Sequence, residues 1–167
     1  ALRLFQGFEQ FSNELGEYAK GAKGHVRLWA NMSALTEFLP NSLASFLKIH
    51  PDIQVDVEEQ ISGDIVKALL DGIADIGVFA EGTPTAGLET SIIGQDELVV
   101  VCNKSHPIKS RKSISFEECL AYDFVGLNRG SSLLELTSRQ AERLNKQMRL
   151  RIQVRSYDAM CQMIAVN

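Results

Sequence analysis

Three serines lie at the junctions between polar turns and predicted helices, and together they predict an anion-binding site. Ser33 follows a β-rich run, Ser62 precedes an apolar helical pattern, and Ser131 follows a second apolar run. Free amides at a helix N-terminus bind anions, because the helix dipole places partial positive charge there. Any one of these serines is more often a structural cap. As a set they favour a hydroxyl- and amide-lined cleft for a small anion.

The same turns carry side chains that would select the ligand. Asn128 can both donate and accept a hydrogen bond. Arg129 can pair with a carboxylate through two parallel bonds, although a loop arginine more often faces solvent. Met32 and Ile61 would supply an apolar wall, and Ile61 can equally belong to the core.

Catalytic and metal-binding patterns are not recognisable in the sequence. The three histidines are isolated, and the three cysteines lack the two-residue spacing of metal sites. There is no GxSxG elbow and no Gly-rich phosphate loop. We therefore expect no metal, no cofactor and no enzyme activity. Cys102, Cys119 and Cys161 are odd in number and far apart, as reduced core thiols are, which favours a cytoplasmic location.

An alternation of strands and helices would position these side chains. Residues 25–30, 53–58 and 73–79 are predicted strands, the last buried on both faces, and helical patterns lie between them. Strands joined by helices must be parallel. Ligands of open parallel sheets bind beyond the carboxyl ends of the strands, so the site is expected at the strand exits.

Local signals set the expected helix boundaries. Pro40 predicts a kink or a restart near Leu39, and Gly72 is suited to the left-handed position that ends a helix. The hydroxyl of Ser62 is expected to cap free amides of the helix that it begins. Two capping boxes are predicted from their spacing, Ser115 with Glu118 and Ser132 with Glu135.

The second half of the chain is predicted to form a second lobe. Further strands are expected at residues 88–93, 97–102, 124–127 and 150–154, with a helix from about residue 158. Residues 94–96 would cross between the lobes, which gives lobe 1 as residues 24–95 and lobe 2 as residues 96–167. The pattern stops without a helix stop signal, so we expect that the natural protein continues.

The first 23 residues carry a heptad pattern. Its apolar positions recur at spacings of four and three, and they are Leu4, Phe8, Phe11, Leu15 and Tyr18. About two heptads leave two interpretations open, the tail of a coiled coil or a helix docked on the domain. Residues 21–24 would form a hinge after this linker helix.

Charge is divided unevenly along the chain. Residues 1–103 carry 6 basic and 15 acidic side chains, a net −9, whereas residues 104–167 carry 11 basic and 6 acidic, a net +5. Ordinary solvated surface is one interpretation. The other is that two copies associate head to tail, the acidic half of one against the basic half of the other. A nucleic-acid surface is disfavoured, because the basic side chains lack interleaved aromatics. They are Arg139, Arg143, Lys146, Arg149, Arg151 and Arg155.

An ordered series of short motifs resembles the regulatory part of LysR-type transcriptional regulators. The series begins with the heptad helix entering Gly24-His25-Val26-Arg27-Leu28, continues with Leu39-Pro40, Phe46 and His50-Pro51, and then Leu70-Asp71-Gly72-Ile73-Ala74-Asp75-Ile76-Gly77-Val78. It ends with Glu97-Leu98-Val99-Val100-Val101 and His106-Pro107-Ile108. Each motif is weak alone, but the order is specific and covers nearly the whole chain.

The resemblance implies an α/β, two-lobed type II periplasmic-binding-protein-like fold, preceded by a dimerisation helix, with an effector held between the lobes. It also implies an N-terminal winged helix-turn-helix absent from this chain, a C-terminal segment that returns to the first lobe, and dimers or tetramers with antiparallel lobe contacts. The implied effector-binding residues are Asn31, Met32 and Ser33, Gln60, Ile61 and Ser62, Phe79 and Ala80, and Asn128, Arg129, Gly130 and Ser131.

Two functions of different classes follow from that fold. The first is the effector-sensing domain of a bacterial DNA-binding transcriptional regulator. The second is a solute-binding receptor of a transport system. The heptad helix and the unpaired cysteines favour the regulator, whereas an export signal would favour the receptor.

Overall fold

The structure, a computed structural model, describes residues 24–166. The heptad helix expected within residues 1–23 lies outside this range. The chain forms two compact units that divide between Asp96 and Glu97. The first contains β1 (His25–Ala30), α1 (Leu39–Ile49), β2 (Gln54–Glu59), α2 (Ser62–Leu70) and β3 (Ile76–Val78). The second contains α3 (Phe116–Cys119), β4 (Asp123–Leu127), α4 (Ser132–Arg143), β5 (Arg149–Val154) and α5 (Tyr157–Val166).

The first unit is built on a three-stranded parallel sheet in the order β2-β1-β3. Leu28 of the central strand is opposite Val57 on one side and Ile76 on the other. Because β1 is flanked on both sides, its alternate residues can be completely buried, and Leu28 is 0% exposed. It forms a core cluster with Leu39 and Phe46 of α1. The predicted parallel arrangement is therefore confirmed.

The first helix changes geometry before α1 begins. Residues Ala34–Phe38 form a π-helical turn, and the regular α-helix starts at Leu39 with Pro40 in its first turn. Proline lacks an amide hydrogen and fits best in the first turn, where that hydrogen has no intrahelical partner. The predicted interruption near Leu39 is confirmed.

The third strand is shorter than residues 73–79, the range predicted for it. Gly72 ends the preceding helix with φ +68°, as expected, but Ile73 is 48% exposed. The Asp75 carboxylate accepts hydrogen bonds from the Arg27 amide at 2.8 Å and from its guanidinium at 2.8 and 3.1 Å. This contact lowers the pKa of Asp75 below its ordinary value. Gly72 and Asp75 accept hydrogen bonds from Arg27 of β1, and the strand pairing of β3 begins only at Ile76.

The second unit contains a two-stranded parallel sheet, β4-β5. The capping box predicted at α3 is confirmed, since Ser115 Oγ accepts from the Glu118 amide at 3.2 Å and Glu118 accepts from the Ser115 amide at 3.1 Å. The Arg111 guanidinium, with the Ser115 amide and hydroxyl, lowers the pKa of Glu118 to about 2. Glu118 therefore stays ionised at neutral pH, and the capping box of the short helix persists there.

Residues 88–93 and 97–102 do not form the strands predicted for them. Within residues 24–166 no strand is assigned to either run. Leu98, Val99, Val100 and Val101 are 50–78% exposed. A β-rich sequence becomes a strand only where a partner strand takes up its backbone hydrogen bonds, and the part of the chain that the structure describes supplies none here.

The three cysteines differ in environment, contrary to the expectation of three core thiols. Cys119 is buried, Cys102 is half-buried, and Cys161 is exposed on α5. Burial raises the pKa of the Cys119 thiol. Within the described range, no helix combines the length and the apolar character needed to cross a membrane.

Candidate functional site

Three of the predicted site segments meet at the carboxyl ends of the first unit's strands. The Asn31 amide donates to the Val78 carbonyl at 2.9 Å, which joins the exits of β1 and β3. The Gln60 amide donates to the Ala30 carbonyl at 3.0 Å, which joins the exits of β2 and β1. Residues 31–33, 60–62 and 79–80 are therefore brought to one end of the sheet, although they are far apart in sequence.

Asn31, and not Ser33, caps the first helix. Its Oδ1 accepts a hydrogen bond from the Ala34 amide at 3.0 Å. Ser33 is already helical, with φ −62° and ψ −42°, and its side chain makes no cap bond. Ser33 therefore lies in the first turn of the helix, as expected, but Asn31 supplies the side-chain cap.

Ser62 connects α2 to the exit of β3. It is the first residue of α2, it is 5% exposed, and its Oγ accepts from the Ala80 amide at 3.1 Å. The predicted cap on the helix's own amides is absent, and Ile61 occupies the cap position with extended backbone. The hydroxyl therefore connects α2 to the β3 exit and positions that exit.

A threonine at the same exit was not predicted from the sequence. Thr83 Oγ1 donates to the Ala80 carbonyl at 2.7 Å, so both backbone groups of Ala80 are held by hydroxyls. The sequence could have indicated Thr83 as a site residue, because it lies only three residues beyond the expected strand exit. Ile61 is 36% exposed and Met32 and Phe79 are half-buried, which leaves Ile61 outside the core.

The fourth predicted segment, residues 128–131, lies at the carboxyl end of β4 in the second unit. The Asn128 amide donates to the Val154 carbonyl at 2.9 Å, and its Nδ2 donates to the Arg129 carbonyl at 3.3 Å. Gly130 has φ +87°, a conformation that favours glycine. This turn brings Ser131 to the start of α4.

Ser131 caps α4, and the capping box predicted at Ser132 and Glu135 is wrong. Ser131 Oγ accepts from the Leu134 amide at 3.2 Å, and Ser132 is the first helical residue. Ser132 and Glu135 have the spacing of a capping box, but the adjacent Ser131 occupies the cap position, and the residue three positions after it is Leu134. Ser131 is thus a structural cap whose hydroxyl is already engaged as an acceptor.

The carboxyl end of β5 lies beside the carboxyl end of β4 in the second unit. The chain leaves β5 at Val154, which bonds Asn128, and continues through Arg155 and Ser156. Ser156 Oγ accepts from the Ala159 amide at 3.2 Å at the start of α5. The rule that ligands bind at parallel strand exits, applied to the last strand, would have added these two residues.

Much of the second unit's basic surface is paired with its own acids. Arg149 and Arg151 lie 3.0 and 3.5 Å from the Asp123 carboxylate, and Lys146 lies 3.0 Å from Glu117. These exposed pairs partly neutralise the strip considered above for nucleic acid. Among the described residues, no group of three or more His, Cys, Asp or Glu side chains could hold a metal ion.

Known sequences match this chain over most of its length. Residues 19–166 match the family model described as LysR substrate binding domain. A "Probable RuBisCO transcriptional regulator" of Trieres chinensis is 28% identical over 139 residues, which cover 80% of this chain and 45% of that protein. The chain thus spans a little under half the length of that relative.

Solved structures show the same fold. The effector binding domain of QuiR in complex with shikimate superposes with a TM-score of 0.76 at 21% identity, covering 86% of this chain and 69% of that one. The CcmR regulatory domain of Synechocystis PCC6803 in complex with 2-PG superposes with a TM-score of 0.69 at 21% identity, covering 84% and 67%. The expected type II periplasmic-binding-protein-like fold is confirmed.

Proposed function

Because this chain belongs to the LysR substrate binding domain family, we propose that it is the effector-sensing part of a bacterial LysR-type transcriptional regulator. The regulator acts in the cytoplasm and binds DNA through an N-terminal winged helix-turn-helix outside this chain. The domain is not an enzyme, and it uses no cofactor. Its ligand is a small anionic metabolite.

The observation that carries this proposal is the convergence of three polar strand exits in the first unit. Asn31, Gln60 and Ala80 are joined to neighbouring exits through Val78, Ala30 and Ser62. Such a strand end, with helix N-termini beside it, is where parallel α/β sheets bind ligands. QuiR and CcmR domains of the same fold were solved with shikimate and 2-PG, which supports a small ligand here.

We propose that residues of both units contribute to effector binding. Residues 31–33, 60–62 and 79–80 would bind it from the first unit, and residues 128–131 from the second. Arg129 supplies the cationic side chain, and the exposed Arg155 lies at the adjacent exit. An effector shifts the regulator toward the conformational state that it binds better, and this shift changes how the DNA-binding domains are placed.

A solute receptor of a transport system remains the alternative function on this fold. The matched relatives are named as transcriptional regulators, which favours the sensor. The sequence upstream of Ala1 discriminates between them: a helix-turn-helix pattern supports the sensor, and an export signal supports the receptor.

Bulky substitutions in the two halves of the site test the proposal. A thermal-shift screen of small carboxylates and phosphates, including shikimate, identifies a stabilising ligand. We expect Ser33→Trp or Ser131→Trp to abolish the response and weaken binding by about 10- to 100-fold, because the indole fills the space of the ligand. Calorimetry measures the affinity, and ultracentrifugation should show unchanged dimerisation.

Ser110→Trp is the matched control, because Ser110 is exposed in a loop of the second unit and belongs to none of the proposed site segments. Its ligand affinity should equal that of the parent protein. Equal affinities for all three variants would place the ligand elsewhere.

The dimer is proposed to form head to tail, with the first unit of one copy against the second unit of the other. β2 presents Asp56, Glu58 and the 41% exposed Val57, whereas β5 presents exposed Arg149 and Arg151. Each strand has a sheet neighbour on one side, so each forms an edge among the described strands. Opposite charge on two edge strands of this kind suits antiparallel association.

Salt is expected to weaken this dimer, because screening shortens the reach of charges exposed at its surface. Ultracentrifugation at rising ionic strength should show an increasing dissociation constant, and Arg151→Glu should increase it further at low salt. Lys112→Glu makes the same charge change at an exposed loop and serves as the control. A dissociation constant independent of salt would contradict the proposed charge pairing.

A further inference from the structure

A strongly basic loop, residues 104–112, precedes α3 in the second unit. Its basic side chains are Lys104, Lys109, Arg111 and Lys112, and residues 104–116 contain no acidic one. All four side chains are exposed. Because the whole chain has a formal net charge of −4, the basic loop is a local concentration of positive charge on an otherwise acidic protein.

The three lysines of the basic loop form no ion pair with any residue that the structure describes. Arg111 differs, since its guanidinium lies 2.6 Å from the Glu118 carboxylate. Arg149 and Arg151 of β5 likewise share the carboxylate of Asp123. The exposed ammonium groups of the loop are therefore better placed than these arginines to bind an external anion.

Successive turns fix the backbone of the basic loop. The His106 amide donates to the Asn103 carbonyl at 3.0 Å, and the Lys109 amide donates to the His106 carbonyl at 3.1 Å. A third bond follows, from the Arg111 amide to the Ile108 carbonyl at 3.0 Å. Because the backbone is already ordered, an anion that binds the lysines restricts side chains only, which lowers the entropic cost of binding.

The basic loop is attached to the rest of the second unit by its inward side chains. The His106 ring packs against Tyr122 with 4.7 Å between the ring centroids, and Ile108 is 8% exposed. At the start of the loop, Asn103 Nδ2 donates to the Ala165 and Ile164 carbonyls of α5 at 2.5 and 3.4 Å. The loop is thus a built part of the second unit that holds its lysines in solvent.

The exposed surface of this loop has the composition of a phosphate-binding surface. Its lysines are accompanied by the exposed Ser110 and Ser113, and both residue types donate hydrogen bonds to DNA phosphates. The centre of a protein interface is enriched in aromatic and large apolar anchors, and residues 104–113 expose none. Single-stranded nucleic acids are bound with aromatic side chains that stack on the bases. The composition therefore favours the phosphates of a duplex over both alternatives.

We propose that the basic loop is a second DNA contact of the regulator, in which Lys104, Lys109 and Lys112 neutralise phosphates without reading the base sequence. The contact adds to the affinity of the N-terminal winged helix-turn-helix and leaves base recognition to it. Phosphates repel the acidic first half of the chain, so the duplex approaches the basic loop. The proposal rests on the proposed function in one respect, since a DNA-binding regulator brings the duplex within reach of this chain.

The salt dependence of DNA binding tests the contact with this chain alone. Fluorescence anisotropy measures its affinity for a labelled duplex of about 20 base pairs and arbitrary sequence, from about 50 to about 200 mM NaCl. Three phosphate contacts predict a fall in affinity of about 40-fold over this range, because each contact releases counterions. Lys104→Gln, Lys109→Gln or Lys112→Gln removes one contact and should reduce the fall to about 12-fold.

Lys48→Gln and Lys67→Gln are the matched controls, because both lysines are exposed on helices of the first unit. Their affinity and salt dependence should equal those of the parent chain. The proposal would be overturned if the parent chain did not bind the duplex at about 50 mM salt, or if the three loop variants bound it as the parent does. An oligoglutamate peptide that bound more tightly than the duplex would overturn it as well and would indicate an acidic protein partner.

The contact and the proposed function can fail separately. In the complete regulator, the loop variants should weaken binding to a specific and to an unrelated duplex by the same factor. Unchanged binding to both would overturn the contact and leave the proposed function intact. If this chain bound the duplex as predicted but the sequence upstream of Ala1 contained no helix-turn-helix pattern, the proposed function would fail and the contact would stand.

Discussion

Replacing Leu28 by alanine is expected to lower the free energy of unfolding of the first unit by about 2–5 kcal/mol. Leu28 is 0% exposed at the centre of β1, and it packs with Leu39 and Phe46 of α1. Alanine would remove the buried methyl groups and leave a cavity between sheet and helix, which the flanking strands prevent from collapsing. Urea denaturation measures the loss as a lower midpoint with an unchanged slope.

Val57→Ala is the matched control for this loss. Val57 lies directly opposite Leu28 on β2, but it is 41% exposed. Its truncation should cost about 1 kcal/mol or less, because much of its side chain already contacts water. Equal losses for the two variants would mean that the sheet does not bury Leu28 as described.

Replacing Ser62 by alanine is expected to destabilise the first unit by about 1–3 kcal/mol and to weaken effector binding. Ser62 Oγ is the acceptor for the Ala80 amide, and the serine is 5% exposed. Alanine leaves that amide without its partner and frees the β3 exit from α2. Denaturation measures the first effect, and calorimetry with the ligand from the thermal-shift screen measures the second.

Ser42→Ala is the matched control, because Ser42 Oγ donates to the Phe38 carbonyl within its own helix region. That bond competes with the backbone and adds little, so a change within about 0.5 kcal/mol is expected. If Ser62→Ala were as mild as Ser42→Ala, the hydroxyl would not hold the β3 exit. If it destabilised the unit but left affinity unchanged, Ser62 would be structural only.

Local signals predicted several elements correctly because each is determined by neighbouring residues. The capping box at Ser115 and Glu118 spans four residues, and the left-handed conformation of Gly72 requires only the absence of a Cβ atom. The restart near Leu39 follows from the chemistry of Pro40 alone. The parallel strands follow from the helices that connect them.

The errors occurred where a distant partner decided the outcome. Ser62 was expected to cap its own helix, but its hydroxyl bonds Ala80, 18 residues away. The run 97–102 has strand propensity, but propensity alone does not supply the backbone partners that a strand requires. Residues 73–75 were counted as strand, but Asp75 bonds Arg27, 48 residues earlier, before pairing begins.

By itself, the sequence determined the class of this protein: an ordered motif series, parallel strands joined by helices, and polar turns at the strand exits. Those features depend on composition and on spacing over a few residues. Only the tertiary structure decided which exits meet, that Asn31 bonds Val78, and that the Ser62 hydroxyl holds Ala80. These contacts join residues 18 to 47 positions apart, and no local preference specifies them, because they form only once the sheet has brought the strand ends together.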